Sequence, residues 1–102
     1  MKGYKGRILH VDLSKEKIEI EYPDDIFYRK YMGGRNLALY YLLNELEANI
    51  DPISEENILV FAASVVTGAP FPGNSRYTVA AKSPLTGGYG ESEASGFLGP
   101  EM

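Results

Sequence analysis

Two short segments near the N-terminus alternate between apolar and polar residues, and only three residues separate them. The first spans residues 7–13 and the second spans residues 17–22. The apolar side chains that share one face are Leu9, Val11 and Leu13 in the first segment and Ile18, Ile20 and Tyr22 in the second. This period of two is typical of half-buried strands, and the intervening residues 14–16 allow only a tight reversal. The sequence therefore predicts a β-hairpin over residues 7–22.

The residues that follow the hairpin are predicted to form two helices. After Pro23, either Asp24 or Asp25 can cap a short helical turn that runs to Tyr31. A longer helix is predicted from Arg35 to Glu47, with Asn36 as a candidate N-cap. Its leucines recur at the spacing of one helix face, and we expect that face to pack on the core: Leu39, Leu42, Leu43 and Leu46.

The second half of the chain adds two predicted strands, residues 58–63 and residues 77–82. The order strand, strand, helix, strand, strand favours an α+β fold, with a mixed sheet and the helix packed on one of its faces. The final stretch, residues 83–102, is rich in Gly and Ser and is predicted to be a loop.

Composition argues against several classes of function. The chain carries 10 basic and 14 acidic residues, a net charge of −4, and no basic cluster. Nucleic-acid binding and attachment to a membrane surface are therefore not expected. The chain has no cysteine, so these residues supply no disulfide, no thiolate metal site and no iron–sulfur ligand. This composition fits the cytoplasmic location that we expect.

The glycine-rich tail has two interpretations on composition alone. Small residues let backbone amides approach an anion closely, but an ordinary surface loop is equally rich in glycine. The tail lacks the spacing of a Walker phosphate loop and of a dinucleotide-binding turn. Arg76 lies before the last predicted strand and could bind a phosphate or simply form a surface ion pair. Arg35 opposes the dipole at the start of its helix.

Three motifs in order carry a resemblance to a known family. They are GRILHVDLSKEKIEIE, YMGGRNLALYYLL and the long stretch from Asp51 to Glu101, of which KSPLTG at Lys82 to Gly87, preceded by Arg76-Tyr77, is the most specific part. Together they resemble the N-terminal domain of the aldehyde ferredoxin oxidoreductase family. The resemblance covers essentially the whole chain, and its motifs are specific as an ordered set.

The resemblance implies an oxidoreductase with a tungsten (or molybdenum) bis-pterin cofactor and magnesium. Such an enzyme interconverts aldehydes and carboxylic acids, with ferredoxin or another electron carrier as partner. A four-iron (4Fe–4S) cluster would be bound outside these residues. The family's N-terminal domain has two sheets and continues beyond this length, so residues 1–102 are expected to be an incomplete fragment of the cofactor-binding domain. That fragment would be inactive alone and would depend on the remainder of the parent enzyme; a homo-oligomer is compatible with the sequence.

The same resemblance suggests four cofactor-binding residues. Arg76 matches an arginine between the pterin system and the iron–sulfur cluster. Glu93, Ser95 and Gly96 match the loop that meets the pterin phosphates and the magnesium that bridges them. The aldehyde-oxidising branch tends to have an amide at the position of Glu93, and a carboxylate favours contact through magnesium over direct contact with phosphate.

Two other functions are compatible with the residues. A small standalone binding or scaffold module without redox chemistry is the main alternative, and a reading frame that ends at Met102 would favour it. The run Gly90 to Ala94 also resembles a serine-hydrolase elbow, but its final residue is Ala and the single His, His10, lies in the first hairpin.

Overall fold

The computed structural model describes residues 6–65, 67, 70, 73 and 75–102. The elements formed by these residues are β1 (Ile8–Asp12), β2 (Lys17–Glu21), α1 (Asp25–Tyr31), α2 (Gly34–Glu45), β3 (Val60–Ala63), β4 (Tyr77–Lys82), β5 (Tyr89–Ala94) and α3 (Leu98–Glu101). The strands form two sheets, β1-β2 and β3-β4-β5. The predicted α+β class is confirmed.

Strand direction corrects one detail of that prediction. Within the described residues, every strand pairing is antiparallel, so neither sheet is mixed. The tight connection between β4 and β5 explains this for one pair. Parallel neighbours need a crossover of about a dozen residues, and residues 83–88 can only reverse the chain. Backbone hydrogen bonds between Ser83 and Gly88 (2.7 Å) and between Gly87 and Ser83 (2.8 Å) close that turn.

Strand β5 is a second correction, since the sequence predicts a loop there. The strand pairs along its whole length with β4, from Lys82↔Tyr89 to Tyr77↔Ala94. Its residues, YGESEA, have weak intrinsic strand preference, and Gly is depleted in strands. Pairing with the edge of β4, rather than local preference, therefore determines that this segment is a strand.

The N-terminal hairpin is confirmed. Its register pairs Leu9 with Ile20 and Val11 with Ile18. The turn is held by Asp12, whose Oδ1 accepts hydrogen bonds from the backbone N–H groups of Ser14 (3.0 Å) and Lys15 (3.1 Å). A side chain that satisfies the backbone of a turn in this way sets the reversal locally.

Helix α1 is capped as the sequence predicts. Asp24 adopts an extended conformation, and its Oδ1 accepts a hydrogen bond from the backbone N–H of Phe27 at 2.9 Å. The rings of Phe27 and Tyr31 then pack on Tyr40 of α2, with centroids 5.1 Å and 4.4 Å away. Aromatic contacts therefore join the two helices. Within the described part of the chain, no helix has the length and apolar character needed to span a bilayer.

Helix α2 begins earlier than predicted. Its N-cap is Gly33, which supplies no side-chain cap, so Asn36 lies inside the first turn and does not cap the helix. Gly33 has φ +79°, and a Cβ built there would collide with the carbonyl oxygen of Ala63. Gly33 also forms an isolated antiparallel bridge with Ser64. Glycine is required at this position because only glycine permits both the backbone angle and the close approach.

The buried face of α2 differs from the predicted leucine face. The core cluster between α2 and the sheet consists of Ala38, Leu42, Ala62 and Ala80, with Leu37, Leu46, Ile58 and Val60 packed around it. Leu42 is 6% exposed, whereas Leu43 is 73% exposed. Leu39 is half-buried. The prediction is thus confirmed for Leu42 and Leu46 and wrong for Leu43. Ala38 is small enough to bring the helix close to the two alanines of the sheet, and that contact turns Leu43 outward.

A polar contact joins the hairpin to α2. Glu21 Oε1 accepts a hydrogen bond from the Tyr41 hydroxyl at 2.7 Å and lies 2.8 Å from His10 Nε2. Burial raises the pKa of the Glu21 carboxyl, but the hydrogen bonds from Tyr41 and His10 outweigh burial, so its pKa lies below the ordinary value of 4.5. A depressed carboxyl pKa means that ionised Glu21 stabilises the folded state.

We expect this contact to make stability depend on pH. Its contribution is present above pH 4.5, the unfolded value, and is lost as the pH falls through the lowered folded value. Tyr41→Phe removes the hydroxyl donor, so its deficit in unfolding free energy should be largest near about pH 7 and should shrink towards about pH 3. Urea unfolding at several pH values measures this. Tyr22→Phe, at a residue 72% exposed, is the control. A Tyr41→Phe deficit that stays constant with pH would contradict the role of Glu21.

Candidate functional site

A groove of about 430 Å³ lies between the start of α2 and one edge of the three-stranded sheet. It is lined by Met32, Gly33, Gly34, Arg35, Asn36, Ala62, Ser64, Arg76, Thr78 and Glu93. Two of the four residues predicted to bind a cofactor, Arg76 and Glu93, are in this set.

The floor of the groove is one row of residues across the sheet. Ala62 of β3 is the register partner of Thr78 of β4, and Thr78 is the register partner of Glu93 of β5. Paired residues of an antiparallel sheet present their side chains on the same face. Thr78 is 4% exposed, so the carboxylate of Glu93 is the protruding group of this row.

The start of α2 forms the wall of the groove. Gly33 and Gly34 both have positive φ angles, +79° and +57°. The helix has no side-chain cap and no acidic residue in its first turn. A helix N-terminus carries a partial positive charge from its free N–H groups, and here no side chain of the helix neutralises it.

Arg35 extends from this helix start to β5. Its Nε donates to the carboxylate of Glu91, with distances of 2.8 Å and 2.9 Å to the two oxygens. The Tyr89 hydroxyl donates to the same carboxylate at 3.0 Å. Burial and the Glu91 carboxylate raise the pKa of Tyr89 to about 12, so this hydroxyl remains a donor at neutral pH. Glu91 thus pairs with Arg35, whose positive charge is unfavourable at a helix N-terminus.

Arg76 and Glu93 form a looser pair. Arg76 Nη1 lies 3.7 Å from Glu93 Oε2, and the two side chains are 71% and 41% exposed. An exposed pair at this distance contributes little to stability, so both groups are available to a ligand.

Ser95 and Gly96 do not line the groove. Both are exposed and follow the end of β5, and Gly96 has φ +118°. Their role in cofactor binding stays a prediction. The glycine-rich stretch before Arg76, residues 67–73, lies mostly outside the described residues.

The magnesium prediction for Glu93 also stays untested. Among the residues that the structure describes, no group of three His, Cys, Asp or Glu side chains could hold a metal ion. Of the two neighbouring carboxylates on β5, Glu91 is engaged by Arg35 and Tyr89, while Glu93 lies 3.7 Å from the Arg76 guanidinium. A cation at Glu93 would therefore need oxygen ligands from the cofactor or from elsewhere in the parent protein.

Sequence considerations missed Gly33, Gly34 and Thr78 as groove residues. The signal for the first two was present, because paired glycines before a helix permit close backbone approach. Thr78 had no signal of its own, because its place depends on strand pairing.

Comparison with known proteins identifies the family. A model of the N-terminal domain of aldehyde ferredoxin oxidoreductases matches residues 8–102. The tungsten-containing aldehyde ferredoxin oxidoreductases of Pyrococcus furiosus and Pyrococcus horikoshii are 41% and 42% identical to this chain over 102 residues. The chain belongs to the aldehyde ferredoxin oxidoreductase family. The match covers 100% of this chain and 17% of each relative, so the chain spans about one sixth of their length.

Other relatives of this family carry different names. The aliphatic sulfonate oxidoreductase, WOR-like subunit, of Pyrococcus furiosus is 38% identical over 106 residues, which cover 100% of this chain and 16% of the relative. Among solved structures, the active-site complex of a benzoyl coenzyme A reductase with 1,5-dienoyl-CoA matches with a TM-score of 0.91 and 34% identity. That match covers 98% of this chain and 15% of the other. The fold is therefore shared by aldehyde ferredoxin oxidoreductases and by relatives named for other substrates.

The residues of the groove fit an anionic ligand. Two guanidinium groups, Arg35 and Arg76, line the groove together with an uncapped helix N-terminus. Gly33 and Gly34 place backbone in the lining of the groove. Planar guanidinium groups and backbone N–H donors are the groups that proteins use to bind phosphate.

Proposed function

We propose that this chain is the N-terminal, cofactor-binding part of a tungsten or molybdenum bis-pterin oxidoreductase. The parent enzyme would interconvert aldehydes and carboxylic acids, with ferredoxin or another electron carrier as partner, in the cytoplasm. One observation carries the proposal: a phosphate-compatible groove lies within a chain 41% identical over its whole length to a tungsten-containing enzyme.

Each of the predicted binding residues would make a different contact with the cofactor. Arg76 would donate hydrogen bonds to the phosphates or the ring edge of the pterin, since its guanidinium keeps its charge at any working pH. Glu93 would bind a magnesium ion of the cofactor, and Ser95 and Gly96 would add contacts from the segment beyond β5. When bound, the tungsten cofactor supplies the redox chemistry. The 4Fe–4S cluster would be held outside this chain, which has no cysteine.

Aldehydes are the substrate class that we favour, because both Pyrococcus relatives at 41% and 42% identity carry that name. Because the aldehyde-oxidising branch tends to have an amide at the position of Glu93, activity should also be tested on substrates other than aldehydes. The alternative is a small binding or scaffold module without redox chemistry. The length of the reading frame distinguishes the enzyme from the module, because the enzyme needs cysteines downstream of residue 102 to bind its iron–sulfur cluster.

The isolated chain should bind none of the parent's metals stably. Purified residues 1–102 should contain no stoichiometric tungsten, molybdenum or iron by elemental analysis, because the chain has no thiolate and the groove presents only one side of a binding site. The longer polypeptide of the same reading frame, purified in parallel, should contain tungsten or molybdenum together with iron. Stoichiometric tungsten in the short chain would contradict the proposed division of the site, and a metal-free longer polypeptide would favour the module.

A further inference from the structure

A carboxylate just outside the groove accepts hydrogen bonds from two side chains and has no role in the proposed function. Glu91 of β5 does not line the groove, but its two carboxylate oxygens lie 2.8 Å and 2.9 Å from Arg35 Nε. The Tyr89 hydroxyl donates to the same carboxylate at 3.0 Å. The Glu91 side chain is only 24% exposed, so this contact is partly shielded from water. Glu91 therefore reaches the groove through Arg35.

The strand register explains why Glu91 is within reach of Arg35. Glu91 and Glu93 are two residues apart on β5, so their side chains share one face of the sheet. Their register partners on β4, Ala80 and Thr78, are both buried. Arg35 lies in the first turn of α2, 56 residues before Glu91 in the chain. The contact therefore joins the start of the helix to β5.

The contact uses one part of the Arg35 guanidinium and leaves the rest available. Within the part of the chain that the structure describes, Arg35 contacts Glu91 through Nε alone. An arginine has N–H donors on Nε and on both Nη atoms, all in one plane. The Arg35 side chain is 61% exposed and lines the groove. Its two Nη groups can therefore donate to a ligand in the groove while Nε stays bound to Glu91.

Stability alone does not account for this arrangement. A largely exposed ion pair contributes little to stability, and the helix dipole opposes a cation in the first turn. An arginine that is already ordered, by contrast, loses less conformational freedom when it binds a ligand. Pairing with Arg35 also reduces the repulsion that the Glu91 carboxylate would exert on an anion in the groove. Both effects favour a phosphate group as the ligand, because its oxygens match the planar guanidinium.

We propose that Arg35 binds a phosphate group of the cofactor through its Nη donors, and that Glu91, itself held by Tyr89, is the positioning residue that orients Arg35. This inference rests on the proposed function, because that function supplies the cofactor. It adds a second phosphate-binding arginine to Arg76. Glu91 acts on the cofactor through Arg35 and does not touch the cofactor itself.

Retention of tungsten by the parent enzyme tests the proposal. Tungsten per polypeptide, followed during dialysis against increasing salt, reports how tightly the cofactor is bound without relying on activity. Arg35→Ala should speed the loss of tungsten roughly tenfold, because it removes hydrogen bonds to a charged group. Glu91→Gln should speed the loss about threefold, since Arg35 keeps its charge but is held less firmly. Glu47→Gln makes the same charge change at an exposed residue outside the groove, and should leave retention unaltered.

A double variant tests whether Glu91 acts through Arg35. Arg35→Ala combined with Glu91→Gln should lose tungsten no faster than Arg35→Ala alone, because Glu91 then has no arginine to orient. Thermal unfolding of the same variants measures a purely structural role. Under a structural role, Arg35→Ala and Glu91→Gln would have equal effects, since each breaks the same pair, and loss of tungsten would follow the fall in melting temperature.

Three results would overturn the proposal while leaving the proposed function in place. They are additive losses in the double variant, unchanged retention in Arg35→Ala, and a Glu91→Gln variant that melts at a lower temperature but retains tungsten normally. In each of these cases the unmodified parent enzyme still holds its metal. An unmodified parent that holds neither tungsten nor molybdenum would contradict the proposed function, and the role of Arg35 and Glu91 would be rejected with it.

Discussion

Replacing Leu42 with alanine should lower the free energy of unfolding by about 2–5 kcal/mol. Leu42 is 6% exposed and packs with Ala38, Ala62 and Ala80 between α2 and the three-stranded sheet. The alanine neighbours are too short to fill the space that the lost side chain would leave, so the penalty should fall in the upper half of that range. Urea unfolding followed by circular dichroism measures the change.

Leu43→Ala is the matched control, since it makes the same chemical change one residue along the same helix. Leu43 is 73% exposed, so its substitution should change stability by no more than about 0.5 kcal/mol. Equal losses from the two substitutions would mean that the rotation of α2 against the sheet is not the one described. In the longer polypeptide, a large effect of Leu43→Ala alone would show that another segment covers that side of the helix.

Arg76→Ala should weaken binding of the pterin cofactor in the parent enzyme by roughly 10- to 100-fold while leaving the fold intact. A hydrogen bond to a charged group contributes about 1.5–3 kcal/mol, and Arg76 is 71% exposed, so its loss removes ligand contacts without opening the core. Arg76→Lys should fall between, because an ammonium keeps the charge but loses the planar fork. Tungsten per polypeptide, measured after dialysis, reports occupancy, and circular dichroism reports the fold.

Arg29→Ala is the control for this experiment. Arg29 is an exposed arginine in the last turn of α1 and does not line the groove. Its substitution makes the same change in net charge and should leave tungsten content unaltered. If Arg76→Ala enzyme retains full metal content and normal electron transfer to the cluster, Arg76 is a surface cation and its assignment to the cofactor fails.

Local features of the sequence were sufficient for the first third of the chain. The alternation of residues 7–22 and the turn-forming Asp12 specify the hairpin, because each acts on neighbours within a few residues. Asp24 caps α1 in the same way, through a hydrogen bond to a residue three positions along. The order of the motifs was also sufficient to identify the family, because the motifs are distributed along the whole chain.

The tertiary structure decided the features that depend on distant partners. Strand β5 exists because β4 offers it a pairing edge, although its glycine and glutamates favour a loop. Leu43 is exposed because Ala38 fits the alanines of the sheet more closely than a leucine stripe could. The fold joins Arg35, which lines the groove, to Glu91, which lies 56 residues further along the chain. The sequence by itself determined the hairpin and the α1 cap, because both depend on residues a few positions apart, and it determined the family through the order of its motifs. The rotation of α2 and the arrangement of the site depended on contacts with the packed sheet.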